Sequence, residues 1–204
     1  TNDPNADRYY QVRTHIRHPK ATLSEDKIQA GEIDQDYLYW AGDATIYNNQ
    51  MQMLWGAVDN TDENNLMRRF GTCLVTYSLE GKPGDDTYMK LISRNDDFND
   101  HTLGYGDTMW EDEDGHTYLY TTSNYKVAVA RTATHDLSSQ WEYYVADPQG
   151  NFSWTTEYPS TQDAEYSTII PLESGCSMPW VFKKGDTYYM IGQSIWFGRD
   201  VLMF

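Results

Sequence analysis

The chain has few cysteines, few basic residues and no long apolar run. Its 204 residues include 2 cysteines, Cys73 and Cys176, which are too few for a disulfide framework. Lys and Arg number 15 against 31 Asp and Glu, giving a net charge of −16, so contact with nucleic acid or an anionic membrane surface would be repulsive. No apolar run approaches the roughly 18 residues that a membrane-spanning helix needs. We therefore expect no nucleic-acid partner and no membrane partner.

Motifs for metal binding are also missing from the sequence. It contains no CxxC or HExxH motif and no close grouping of His and Cys, so we expect no metal site. His15, His18 and His116 lie in polar or turn-like segments and are expected to be exposed. No cofactor is predicted.

Aromatic residues, in contrast, are abundant. They make up 15% of the chain, with 17 Tyr and 7 Trp, which indicates a folded protein despite its polarity. Several short segments are rich in β-branched and aromatic residues and are bounded by Gly, Asn, Asp or Pro, as β-strands are. These segments are residues 71–81, 87–94, 125–133 and 141–146. The sequence therefore predicts an all-β fold.

Residues 1–36 differ from the remainder because they are polar and mixed in charge. We interpret them as an N-terminal polar segment that is either a linker or a strand that closes the fold edge to edge. Residues 37–204 contain the strand-forming segments and are predicted to form the β-domain.

Three stretches of this β-domain begin in a similar way. "GDTMWEDEDGHTYLY" (106–120) and "CSMPWVFKKGDTYYM" (176–190) align without a gap. The matched pairs are Trp110 with Trp180, Gly115 with Gly185, Thr117 with Thr187 and Tyr118 with Tyr188. "GDATIYNNQMQMLW" (42–55) also opens with Gly-Asp and has a turn after its first strand. The pattern predicts three β-hairpins that begin near residues 42, 106 and 176.

The spacing of these hairpins favours one all-β architecture. Two further strands fit between consecutive hairpins, and four antiparallel strands repeated at regular spacing are typical of β-propeller blades. A β-sandwich does not predict matching hairpins at a fixed period. In a propeller, Asp43, Asp107 and Ser177 would converge at the mouth of the central channel. An Asp that opens a strand can also simply cap a turn, but two at the same repeat position favour a functional role.

The hairpins resemble those of family 43 glycoside hydrolases, five-bladed β-propellers that act on plant and algal polysaccharides. "GDATIY" is similar to the aspartate-opened first hairpin of that family, and "GDTMWEDEDGHTYLY" to the second. "CSMPWVFKKGDTYYM" is similar to the third, in which Glu, a small residue and Pro precede the strand, and "THDLSSQWEYY" (134–144) to the segment after a third blade strand. The resemblance covers residues 37–204. These motifs resemble those of uncharacterised relatives that share the propeller almost as closely.

The resemblance implies roles for the residues at the strand tips. Asp43 matches the general base that activates water, and Asp107 matches the aspartate that tunes the acid and orients the substrate. The acid would be a Glu at position 177, but this chain has Ser177, whose hydroxyl cannot donate the proton at useful rates. Glu173 could reach in from the preceding loop. Either the acid has moved to Glu173 or acid catalysis is lost.

Aromatic residues near the strand tips fit a sugar ligand, because a flat ring packs on the apolar face of a sugar. The residues predicted to contact substrate are Trp40, Tyr105, Ser177, Trp180 and Trp196. Packing between sheets is the alternative for each Trp. For Trp110 and Trp180, which occupy equivalent repeat positions, a core role is the simpler expectation.

Three hairpins in 204 residues leave no room for the further blades that a closed propeller needs. We expect about three blades of a five-bladed propeller, completed by the rest of a larger domain or by another chain. The predicted function is that of a secreted or periplasmic carbohydrate-active protein, which binds oligosaccharide or polysaccharide and hydrolyses a glycosidic bond with inversion. The alternative is a carbohydrate-binding module or pseudoenzyme that has lost the general acid.

Overall fold

A computed structural model of the chain describes residue 26 and residues 36–64, 66–99, 104–123, 126–147, 149–158, 168–171, 176–195 and 198–204. These residues form thirteen β-strands, which confirms the prediction of an all-β fold. The strands are β1 (Tyr37–Tyr47), β2 (Gln50–Asp59), β3 (Arg68–Leu79), β4 (Tyr88–Asn99), β5 (Thr108–Glu111), β6 (Thr117–Ser123), β7 (Lys126–Thr132), β8 (Trp141–Ala146), β9 (Phe152–Thr155), β10 (Thr168–Pro171), β11 (Ser177–Lys184), β12 (Thr187–Gln193) and β13 (Val201–Met203). The predicted N-terminal segment, residues 1–36, lies almost wholly outside the described residues.

The strands form three antiparallel sheets in which neighbours along the chain are neighbours in space. The first sheet has the order β1-β2-β3-β4, and the second has the order β5-β6-β7-β8-β9, with β10 also paired to β7. The third sheet has the order β11-β12-β13. The four segments predicted as strands correspond to β3, β4, β7 and β8.

All three predicted hairpins are present, and turn chemistry explains where they bend. Asn48 and Asn49 join β1 to β2 with φ values of 48° and 58°, the left-handed conformations of a type I′ turn, which Asn tolerates better than most residues. Gly115, in the turn between β5 and β6, has a φ of 91°, and Gly185, between β11 and β12, has a φ of 60°. Glycine adopts these angles without steric cost.

The chain divides into two compact units, which are described separately. The first unit comprises residues 1–41 and 48–101, and the second comprises residues 42–47 and 102–204. In the first unit, the alternating residues Cys73, Val75 and Tyr77 of β3 are buried against Trp55 and its neighbours on β1, β2 and β4. The intervening residues Thr72, Leu74 and Thr76 are buried as well, so this central strand is covered on both faces.

In the second unit, the second and third sheets pack face to face. The buried residues of this core are Tyr120, Val127 and Val129 from the second sheet, and Cys176, Val181 and Met190 from the segment around the third. Cys73 and Cys176 are both free thiols, buried in different units. The packing of the two sheets brings β11 beside β5, which positions the candidate site.

Candidate functional site

Asp43 makes two hydrogen bonds to the segment around β5 and one to the next residue of its own strand. Its N–H donates to the carbonyl oxygen of Gly106 at 2.9 Å. Its carboxylate accepts two backbone N–H groups, that of Met109 at Oδ2 and that of Ala44 at Oδ1, both at 2.8 Å. The side chain is half-buried. Asp43 lies inside β1, six residues after the strand begins, and this corrects the prediction that it opens the first strand.

Asp107 precedes β5 and is fixed to the neighbouring strand. The hydroxyl of Thr121, in β6, donates to Asp107 Oδ2 at 2.7 Å. Thr121 is buried, whereas Asp107 is half-buried at the strand tip. The buried hydroxyl therefore sets the direction of a carboxylate that solvent can still reach.

Ser177, the first residue of β11, lies next to an irregular stretch of strand. The pairing between β11 and β12 changes register between Ser177 and Trp180, and Met178 has a left-handed φ of 51°. The Thr122 hydroxyl holds the preceding residue by donating to the Cys176 carbonyl at 2.7 Å. A bulge of this kind bends a strand and re-aims its side chains, and such bulges are frequent beside active sites.

Three strand segments of the second unit run side by side in the same direction. Residues 42–47 contact β5 through Asp43 and then through Thr45, whose hydroxyl donates to Glu111. β11 also runs alongside β5 in the same direction. The Val181 N–H donates to the Thr108 hydroxyl at 3.1 Å, and Lys183 follows with a bond to the residue after β5. Asp43, Asp107 and Ser177 therefore lie toward the same end of three neighbouring segments.

The aromatic residues predicted to contact substrate have different environments. Tyr105 is 1% exposed and packs on Trp141 and Tyr143, so the prediction that its ring binds a sugar is wrong. Burial also raises the pKa of the Tyr105 phenol. Trp40 is half-buried and belongs to the first unit. The predicted residues Glu173 and Trp196 lie outside the described residues.

Trp180 is 58% exposed, so the expectation that it is a core residue equivalent to Trp110 is also wrong. The reason lies in the turns. Five residues separate β5 from β6, whereas two separate β11 from β12. As a result, Trp110 pairs with Tyr118, but Trp180 pairs with Ile191. The two tryptophans match in sequence but not in strand register.

A partly buried ion pair at the far end of β5 was not predicted from the sequence. Lys183 Nζ lies 2.8 Å from Asp112 Oδ2, and the Tyr188 hydroxyl donates to the same oxygen. These two contacts, with Lys183 the larger, lower the pKa of Asp112 to about 2. Partial burial, and then the bond to Asp112, raise the pKa of Tyr188 to about 12. Charged residues 71 positions apart give no local sequence signal.

The first unit contains a second polar cluster that was not predicted. Asp96 Oδ1 accepts hydrogen bonds from the Tyr39 hydroxyl at 2.9 Å, from Arg94 Nε at 2.5 Å and from the Cys73 thiol at 3.4 Å. Burial raises the pKa of Cys73 to about 12. A thiol that stays protonated is a poor nucleophile, so Cys73 has a structural role here.

Neither a metal centre nor a membrane-spanning helix occurs in the described part of the chain. Within it, His, Cys, Asp and Glu side chains form no group of three that could hold a metal ion. The same residues include no helix that is long and apolar enough to cross a membrane.

Comparisons with known proteins place this arrangement in context. The sequence profile of a family described as "Domain of unknown function (DUF5005)" matches residues 2–204. A crystal structure described as that of "a putative hydrolase from Bacteroides ovatus ATCC 8483" is similar to the whole chain, with 93% identity and a TM-score of 0.87. The chain spans 50% of the length of that solved chain. A search of curated proteins found no match.

Proposed function

We propose that this chain, which belongs to the DUF5005 family, is part of a carbohydrate-active hydrolase that cleaves a glycosidic bond with inversion. The proposed site consists of Asp43, Asp107 and Ser177. The observation that carries the proposal is the arrangement of the two carboxylates. Asp43 and Asp107 lie toward the same end of adjacent strand segments, and both are held by defined donors.

The proposed fold is a partial β-propeller. Sheets of consecutive strands follow each other along the chain, and within the second unit residues 42–47, β5 and β11 lie side by side in the same direction. Innermost strands of propeller blades are arranged in this way around their axis. The solved relative is about twice as long as this chain, so it has enough polypeptide to supply further blades.

Asp43 is suited to the role of general base. Each of its carboxylate oxygens accepts one backbone N–H. A carboxylate oxygen has two acceptor positions, so each oxygen can still accept a proton donor such as water or a sugar hydroxyl. The backbone donors fix the carboxylate's direction, and a fixed direction is what attack on one face of a sugar ring requires.

Asp107 would orient the substrate and influence the acid, but Ser177 cannot be that acid. Inverting hydrolysis needs a carboxylic acid about 6.5–9.5 Å from the base. The candidates are Glu173 and a carboxylic acid from outside this chain. The word "hydrolase" in the description of the solved relative supports a hydrolytic reaction there and names no substrate.

The test compares two substrates, a polysaccharide and an aryl glycoside. The Ser177→Glu variant should raise polysaccharide hydrolysis by roughly 10²- to 10⁴-fold if the cleft lacks only an acid. Asp43→Asn should remove hydrolysis of an aryl glycoside, whose good leaving group needs little protonation. Asp186→Asn, in the exposed turn after β11, is the matched control and should leave both activities unchanged. If Asp43→Asn keeps full activity on the aryl glycoside, Asp43 is not the base.

Ser177 specifically favours a second candidate, a carbohydrate-binding module or pseudoenzyme that has lost the acid. In that case neither the wild type nor Ser177→Glu hydrolyses any glycoside, and both are retarded by polysaccharide in affinity electrophoresis. Brisk polysaccharide hydrolysis by the wild type that Glu173→Gln abolishes would instead assign the acid to Glu173.

A further inference from the structure

We propose that one face of the third sheet binds a further antiparallel β-sheet, of the kind that the other half of the longer solved relative can supply. This surface, called the outer face below, is formed by Trp180, Phe182, Tyr189, Ile191, Val201 and Met203. The proposal concerns assembly and holds whether or not the strand-tip residues are catalytic.

Cross-strand pairing places these side chains on one face. Trp180 pairs with Ile191, which in turn pairs with Met203, and Phe182 pairs with Tyr189. Directly paired residues in an antiparallel sheet point to the same side. Val201 is two residues before Met203 and therefore belongs to that side as well. The outer face is thus a continuous apolar surface across three strands.

Several apolar residues of the outer face are exposed to solvent. Trp180, Val201 and Met203 are 58%, 72% and 67% exposed. The Phe182 and Tyr189 rings are stacked, with their centroids 5.3 Å apart, and Trp180 lies 5.8 Å from Phe182. Contiguous patches of exposed apolar residues are characteristic of binding surfaces.

The opposite face of the same sheet shows what kind of partner fits. There, Val181 and Met190 are buried against Tyr120, Val127 and other residues of the second sheet. Sheets that pack face to face interdigitate apolar side chains in this manner. An apolar sheet face of equal size is therefore the expected partner for the outer face.

Two observations favour polypeptide from a longer protein over a second copy of this chain. In the solved relative, the part that matches this chain is 50% of the polypeptide, so an equally long part remains. Each copy of this chain, moreover, carries a net charge of −16, which opposes close approach of two identical copies.

The experiment measures thiol labelling at the outer face. Met203→Cys introduces an accessible thiol into a chain whose two native cysteines are buried. Asp186→Cys, in the exposed turn of the same sheet, is the matched control. In the 204-residue chain both introduced thiols should react with a soluble maleimide at similar rates. In the full-length relative that carries the substitutions at the aligned positions, Met203→Cys should react at least about tenfold more slowly, because labelling then requires local opening, and Asp186→Cys should be unchanged.

Two results would overturn the proposal. One is equal labelling of Met203→Cys in the short and the full-length proteins. The other is protection in the 204-residue chain that increases with concentration, together with a dimer mass in light scattering, which would assign the outer face to self-association. If Met203→Cys does not fold, Val201→Cys tests the same face.

Discussion

The ammonium group of Lys183 lies 2.8 Å from Oδ2 of Asp112 and connects β11 to the turn that follows β5. The Asp112 side chain is only 5% exposed, so its charge depends on this partner and on the Tyr188 hydroxyl. The pair lies at the end of β5 opposite to Asp107. It therefore links the second and third sheets at the end of β5 opposite to the proposed site.

Low pH should reduce the free energy of unfolding because Asp112 becomes protonated. Its pKa is lowered to about 2 in the folded chain from an ordinary value near 4, so its stabilising contribution is complete above about pH 4 and disappears as the pH falls toward 2. The difference corresponds to about 2 kcal/mol. Urea unfolding at a series of pH values should show a smaller loss of stability between pH 4 and pH 2 for Asp112→Asn than for the wild type. Parallel curves for the two proteins would mean that Asp112 does not contribute.

Gly192→Ala should destabilise the start of β11. A Cβ at this position would collide with the Cys176 sulfur and lie 3.0 Å from the Ser177 carbonyl oxygen, so the backbone near Ser177 must move. Overpacking of this kind costs about 1–3 kcal/mol, measurable by thermal unfolding. Gly185→Asn is the control: a Cβ there meets no atom within 4 Å, and Asn tolerates its φ of 60°. Equal stability of Gly192→Ala and the wild type would contradict this packing.

Thr121→Val tests whether catalysis depends on the hydrogen bond that orients Asp107, and a matched variant shows the effect of lost stability alone. Both Thr121→Val and Thr122→Val remove a hydroxyl that donates at 2.7 Å, the first to Asp107 and the second to the Cys176 carbonyl. Each should lower the free energy of unfolding by about 1 kcal/mol. Only Thr121→Val should reduce kcat on an aryl glycoside, with little change in KM. Equal losses of kcat in both variants would indicate that Asp107 needs no orientation by Thr121.

The two thiols should remain unmodified in the native protein. Cys73 is fully buried and its pKa is raised to about 12, and burial also raises the pKa of Cys176. Ellman's reagent should therefore react slowly with the folded chain and should titrate two thiols after denaturation without reductant. A count of zero after denaturation would reveal a disulfide that this structure does not contain.

Local patterns in the sequence were sufficient to predict the strands and hairpins. Asn48 and Asn49 indicate a tight turn by themselves, and β3 was predicted from the β-branched and aromatic residues of the segment 71–81. Both signals arise from neighbouring residues. The all-β fold follows from many such signals, whereas the propeller stays a prediction.

The environments of individual site residues could not be predicted, because they depend on contacts between distant parts of the chain. Tyr105 lies beside a glycine and looks like a loop residue, yet Trp141 and Tyr143 bury it. Trp180 matches Trp110 only if the turns are assumed to be equally long. The bond from Met109 to Asp43 spans 66 residues.

That last bond also makes the proposed site visible to spectroscopy. An amide proton that points at a carboxylate is strongly deshielded, and its resonance frequency follows the local electric field. In a ¹H–¹⁵N spectrum of the ¹⁵N-labelled chain, the Met109 signal is therefore an intrinsic probe of Asp43 that needs no turnover. A sugar that binds at Asp43 should shift this signal even in a chain that cleaves nothing.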